Sequence, residues 1–127
     1  MPTPLDAEEY VNLESFKRDG TGVLTPVWVA PLDGKLVIFT LSESYKVKRI
    51  RRDPRVRLAA CDVRGGLRGP FHEGSCRILE APDTIAQAHE AMRRKYGWKI
   101  SIGDFFSRLV GRMRRRTWLE VTLTAPG

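Results

Sequence analysis

No apolar run in the 127 residues approaches the ~20 needed to cross a bilayer as a helix, which excludes a helical membrane span. Cysteine is scarce. Cys61 and Cys76 are the only two, too few for a disulfide framework and unlike the paired couples of a zinc site, so both are expected to pack as small apolar residues. Histidine is equally sparse, with His72 and His89 far apart, and neither a GxSxG elbow nor an HExxH pair is present. Hydrolytic chemistry therefore has no visible machinery. His89 falls on the apolar face of a helix pattern and is expected in the core, while His72 reads as a solvated loop residue. Glu14, Glu73 and Glu120 read as strand residues without a visible partner, and none is nominated as a general acid. No repeat, linker or low-complexity tract divides the chain, and its length predicts one domain over 1–127. The N-terminal MPTPLDAEEY offers neither a basic leader nor an apolar signal core, so the expected location is the cytoplasm.

Acids are outnumbered as well. Fifteen Asp and Glu face 22 Lys and Arg, for a net charge of +7. Seven of the bases fall in 46–57 and nine in 93–116, whereas the first twenty residues hold five acids. Such clustering points to an anionic ligand: a phosphorylated cofactor, a nucleic acid or a polyanionic tail.

What is present reads mostly as strands. YVNLESFKR ends at Asp19-Gly20, GVLTPVWVAP follows, and Asp33-Gly34 turns the chain into Leu36–Leu41. GVLTPVWVAP is apolar on both faces and should be covered on both. Pro26 has no N–H for a ladder bond and belongs at an edge or beside a break in pairing. From Ser42 the period changes: Val47 and Ile50 share one face and cations cover the rest. That predicts a short helix with Ser42 or Ser44 as N-cap and Pro54 past its end. Arg55–Val63, a turn at Gly65-Gly66 and Glu73–Leu79 form a hairpin. Ile85, Ala88, His89, Met92 and Tyr96 mark an amphipathic helix ending at Gly97, and Phe105, Phe106, Leu109, Val110 and Met113 mark another from about Asp104 to Arg114. Thr117–Thr124 is a last strand. Five or six mostly antiparallel strands in so short a chain must expose edges or close, and a small barrel closes them.

The basic helix is the strongest chemical signal. A helix start supplies free backbone N–H groups, and cations beside it complete a phosphate site. Lys46 lies in the first turn, Lys48 and Arg49 supplement it, and Thr40 and Ser42 add hydroxyls at the strand end. A solvated basic face is the alternative reading of the same residues.

The order DGTGVLTPVWVAPLDGKLVIFT, SESYKVKRIRRDPRVRLAACD, a hairpin ending in EGSCRIL and a later KYGW resembles the split β-barrel flavin and deazaflavin oxidoreductases, the pyridoxamine-phosphate-oxidase-like superfamily. More narrowly it is similar to the branch that uses coenzyme F420, an 8-hydroxy-5-deazaflavin. The likeness runs from about Tyr10 to Leu123 and is most specific in TPVW at 25–28 and in the basic run Lys46–Val56. It implies a mainly β (α+β) fold, a six-stranded antiparallel split β-barrel with short helices, assembled as a homodimer with cofactor sites between subunits. It also implies hydride transfer from reduced F420 to an unsaturated or quinone-like small molecule, chemistry that needs no protein nucleophile. On this resemblance Thr25, Pro26, Val27 and Trp28 line the deazaflavin ring, and Thr40, Ser42, Lys46, Lys48 and Arg49 bind the ribityl phosphate. Members that use flavin mononucleotide (FMN) often carry arginines where this chain has Thr25 and Tyr45, which favours F420 over FMN. Some deazaflavin relatives have an arginine at Ser44. Phe105 and Phe106 would cap a substrate pocket of the partner subunit, and Arg112, Arg114, Arg115 and Arg116 would meet the polyglutamate tail of F420. Two alternatives stay open. One keeps the fold and binds FMN or a planar ligand such as a tetrapyrrole. The other, of a different class, is a basic barrel for single-stranded nucleic acid, against which stands the small number of aromatics near the basic windows: Tyr45, Tyr96 and Trp98.

Overall fold

A computed structural model of the chain describes residues 3–41, 45–96 and 116–124. The elements are β1 (Tyr10–Phe16), β2 (Gly22–Trp28), β3 (Ala30–Leu32), β4 (Lys35–Leu41), α1 (Tyr45–Arg52), β5 (Arg55–Cys61), β6 (His72–Leu79), α2 (Pro82–Tyr96) and β7 (Arg116–Leu123). All strands pair antiparallel in one sheet of order β2-β1-β5-β6-β7-β4-β3. The sequence led to six strands and the described residues form seven, because the expected strand over 22–31 divides at Val29. Its first part pairs with β1 and its second with β4, so the two ends of an open ladder are consecutive pieces of one stretch of chain. The ends of the sheet are thereby brought together without a continuous ladder, which is a split barrel. Pro26 sits on the edge strand β2, opposite Asn12, where its missing N–H is tolerated.

Alternation along the strands sorts side chains into two apolar layers. Leu13, Leu36, Ile38, Leu58, Leu119 and Val121 fill the barrel interior, and α1 adds Ile50 to them. Val37 and Trp118, one residue out of phase, face Ala88, Met92 and Tyr96 of α2 on the outside. Because β4 is covered on both sides, its sequence reads as an unbroken apolar run rather than an alternating one. Burying each large aliphatic side chain contributes roughly 1.5–3 kcal/mol relative to exposure. Cys61 and Cys76 are buried and unpaired, as expected.

His89 departs from expectation. It is exposed, and its ring meets Trp118 edge-on at 6.0 Å and 73°. The buried stripe of α2 is completed by Ala91 instead, since position 89 lies at the flank of the face centred on Ala88 and Met92. Two of the three strand glutamates also have partners: Glu14 pairs with Arg57, and Glu120 with Arg77 and Lys35. Ser42, Ser44, the helix expected over 104–114, Phe105, Phe106, Arg112, Arg114 and Arg115 lie outside the described residues. Arg116 opens β7.

Candidate functional site

α1 exists because Val47 and Ile50 are buried on one face, Ile50 within the barrel core, while the other positions accept charge. Its last turn carries Arg49, Arg51 and Arg52, which suits the negative end of the helix dipole. Its first turn carries no acid. Lys46, Lys48 and Arg49 are thus gathered on one short helix that begins four residues after the end of β4.

Their surroundings differ. Lys46 is half-buried, and burial first, then the nearby positive charge of Arg49, holds its ammonium below the usual lysine range. Among the described residues it has no hydrogen bond or ion pair. Arg49 is also half-buried, but its Nε donates to Ser15 Oγ at 2.7 Å. Lys48 is exposed, with its ammonium 5.5 Å from the centre of the Tyr45 ring. Thr40, in β4, is buried opposite Thr117 of β7.

The second expected stretch lies on β2, separated from α1 by β1, which pairs with β2 and packs on α1. Val27 points into the core, so its side chain is committed to packing. Pro26 is exposed, Thr25 and Trp28 are half-buried, and Leu24 beside them is 45% exposed. Trp28 is stacked on Tyr96 at 5.1 Å and 23°, and meets Tyr10 edge-on at 6.2 Å. Its indole is therefore held as part of an aromatic layer. β2 is an edge of the sheet, so alternate N–H and C=O groups on its outer side face no described strand.

Sequence reasoning missed Lys17 and Arg18. They line a cavity of about 450 Å³ together with Tyr45, Lys48, Arg49 and Arg52. Lys46 is not among its walls. Arg52 reaches across to donate to the Phe16 carbonyl at 2.7 Å, which ties the end of α1 to the end of β1. The only signal in the sequence was two adjacent bases within an otherwise acidic first twenty residues.

The described residues hold no group of His, Cys, Asp and Glu able to bind a metal ion. No helix among them is long and apolar enough to cross a membrane. What this region offers is cations, hydroxyls and an aromatic-backed sheet edge, a set suited to holding a phosphorylated planar group.

A family model described as pyridoxamine 5'-phosphate oxidase matches residues 3–125. No curated protein matches the chain. Among solved structures, a conserved hypothetical protein of Mycobacterium tuberculosis is 25% identical with a TM-score of 0.67, over 91% of this chain and 73% of that one. The haem storage protein HutZ of Vibrio cholerae superposes with a TM-score of 0.71 at 10% identity, over 94% of this chain and 84% of that one. An FAD-binding protein of Mesorhizobium loti gives 0.66 at 17% identity, over 94% and 84%. The last two are alike in fold alone.

Proposed function

The chain belongs to the pyridoxamine 5'-phosphate oxidase family, and on that premise we propose that it is an F420-dependent oxidoreductase that reduces an unsaturated or quinone-like small molecule. One observation carries the reading. Lys46 is a half-buried ammonium with burial and a neighbouring guanidinium against it, and no counter-charge among the described residues. A bound phosphate would offset both the burial of the ammonium and its repulsion from Arg49, and a charge-assisted contact there is among the stronger kinds. The residues present therefore fit a phosphorylated cofactor.

Lys46 holds the phosphate, Arg49 stands beside it fixed by Ser15, and Thr40, Ser42 and Lys48 supply further donors. Thr25, Pro26 and Trp28 border the ring, with Val27 contributing backbone only. When bound, F420 supplies the hydride, and the chain supplies orientation and shelter from water. The exposed edge of β2 is the surface through which two copies form a homodimer and complete the site. A second reading keeps the clamp and replaces F420 with FMN. It is disfavoured by Thr25 and Tyr45, at positions where the FMN-binding relatives often place arginine.

Calorimetric titration with F420 and, separately, with FMN tests the reading. F420 is expected to bind more tightly, and Lys46→Ala to weaken it by about 1.5–3 kcal/mol, the range for a charged hydrogen bond. Equal binding by variant and parent, or tighter binding of FMN, refutes it.

A further inference from the structure

We propose that the cavity between the outward face of α1 and the β1–β2 turn is a second anion site, adjoining the cofactor clamp and built for an oligophosphate. Five of its six lining residues are cations, Lys17, Arg18, Lys48, Arg49 and Arg52, and among the described residues no carboxylate lines it. None of the five forms a salt bridge with an acid among the described residues. Two acids next to these cations in the sequence are engaged elsewhere among the described residues: Asp53 with Arg55, and Asp19 with the Thr21 backbone. A solvated basic face would let its charges spread apart, whereas here they converge on a concavity, which focuses the field on whatever enters.

Two of the guanidiniums are fixed in advance. Arg49 is held through Nε on Ser15 Oγ and Arg52 through a terminal nitrogen on the Phe16 carbonyl, each at 2.7 Å. Each bond uses one position of a fork with several donors, so both residues keep N–H groups for a ligand. Planar forks match the oxygens of phosphate in pairs, and a chain of phosphates carries the charge density that five cations require. The volume of about 450 Å³ suits a small molecule rather than a duplex or a protein segment. Tyr45, 75% exposed with Lys48 near its ring, offers a face on which a planar group attached to the phosphates would stack.

The site shares Lys48 and Arg49 with the proposed cofactor clamp, but Lys17, Arg18 and Arg52 play no part in that clamp and Lys46 does not line the cavity, so variants at Lys17 and Arg18 and at Lys46 tell the two apart. The test is calorimetric titration of the whole protein with tripolyphosphate, with citrate and a single-stranded oligonucleotide as comparators. The expected result is saturable binding of one tripolyphosphate per chain, with citrate roughly tenfold weaker or more, the difference between paired and imperfect recognition of the forks. Lys17→Ser combined with Arg18→Ser should weaken it about tenfold or more, since both side chains contribute charge directly. These side chains are exposed, so an unchanged melting temperature confirms that the variant is folded. Lys46→Ala should bind tripolyphosphate as the parent does. Four results overturn the proposal: no saturation, citrate binding as well as tripolyphosphate, a double variant that binds like the parent, or an oligonucleotide that binds more tightly than tripolyphosphate. Loss of binding in Lys46→Ala alone also overturns it, by assigning the phosphate to the cofactor clamp.

Discussion

Lys46 and Lys95 are both half-buried ammonium groups, and their partners separate a binding residue from a structural one. Lys95 Nζ donates to the Glu8 carbonyl and, at 2.8 Å, to the Val29 carbonyl. The Tyr96 hydroxyl donates to the same Val29 oxygen at 2.7 Å, with the Glu9 carbonyl oxygen at 3.0 Å as an alternative acceptor. Val29 is the residue at which the strand breaks, so the end of α2 satisfies a carbonyl that has left the ladder. Lys46 has no such bonds. Replacing Lys95 by Met should therefore cost about 1.5–3 kcal/mol, the usual range for hydrogen bonds to a charged donor, read as a lower urea midpoint at unchanged m-value. The Lys46→Met variant should hold or raise the midpoint, because it exchanges a desolvated cation for an apolar chain of similar length, while losing the cofactor. A matching fall in stability for both variants would make Lys46 structural. The sequence showed Lys46 as a first-turn base after a strand, which is a local pattern. It could not distinguish Lys95 from its exposed neighbours Arg93 and Arg94, which pair with Glu90, because that difference depends on where Val29 lies.

At the scale of elements, β6 and β7 pack closely around Gly74. Gly74 lies opposite Leu123 on one side and Val56 on the other. A Cβ built there would stand 2.8 Å from the Thr122 carbonyl oxygen and 3.1 Å from Val121 Cγ1. The first obstacle is backbone and cannot swing aside. Gly74→Ala should thus destabilise by about 1–3 kcal/mol, the usual cost of overpacking, measured by chemical denaturation, and a neutral result would mean that β7 is free to shift. Element positions were legible because alternation and turn residues are local: β1, β4, α1, β6 and β7 begin and end within a few residues of the reading. The break at Val29 was not, since GVLTPVWVAP stays apolar on both faces throughout. Which neighbour each half pairs with is decided by β1 and β4, and no period within the strand reports it. Lys17 and Arg18 were missed for the same reason, as the cavity forms only when the β1–β2 turn meets α1.

Over the whole molecule, the buried thiols and the Tyr96 phenol are held in their neutral form, and this sets the response to alkali. Burial, then Glu120, pushes the Cys76 thiol from 9.0 up to about 12. Burial likewise raises Cys61 and Tyr96. The unfolded chain releases these protons earlier than the native one, so the stability they contribute is complete below about pH 9 and is lost as pH rises through the native values. Lys95 acts in the opposite sense. Burial lowers it from 10.5 to about 8, against a smaller pull from Asp6, Glu8 and Glu9, so between those values the unfolded chain binds the extra proton and stability rises with pH. The two trends oppose one another between about pH 9 and 10.5, and only the acids act above it. Urea midpoints should accordingly rise between about pH 8 and 9, change little from there to about 10.5 and fall steeply beyond it, with a slope of at most about 1.4 kcal/mol per pH unit for each group. Cys76→Val, which keeps the apolar packing opposite Val121 and removes the thiol, should make that fall shallower. If the variant follows the parent through about pH 11, Cys76 does not retain its proton there and the barrel interior admits water, contrary to the packing that its 3% exposure describes.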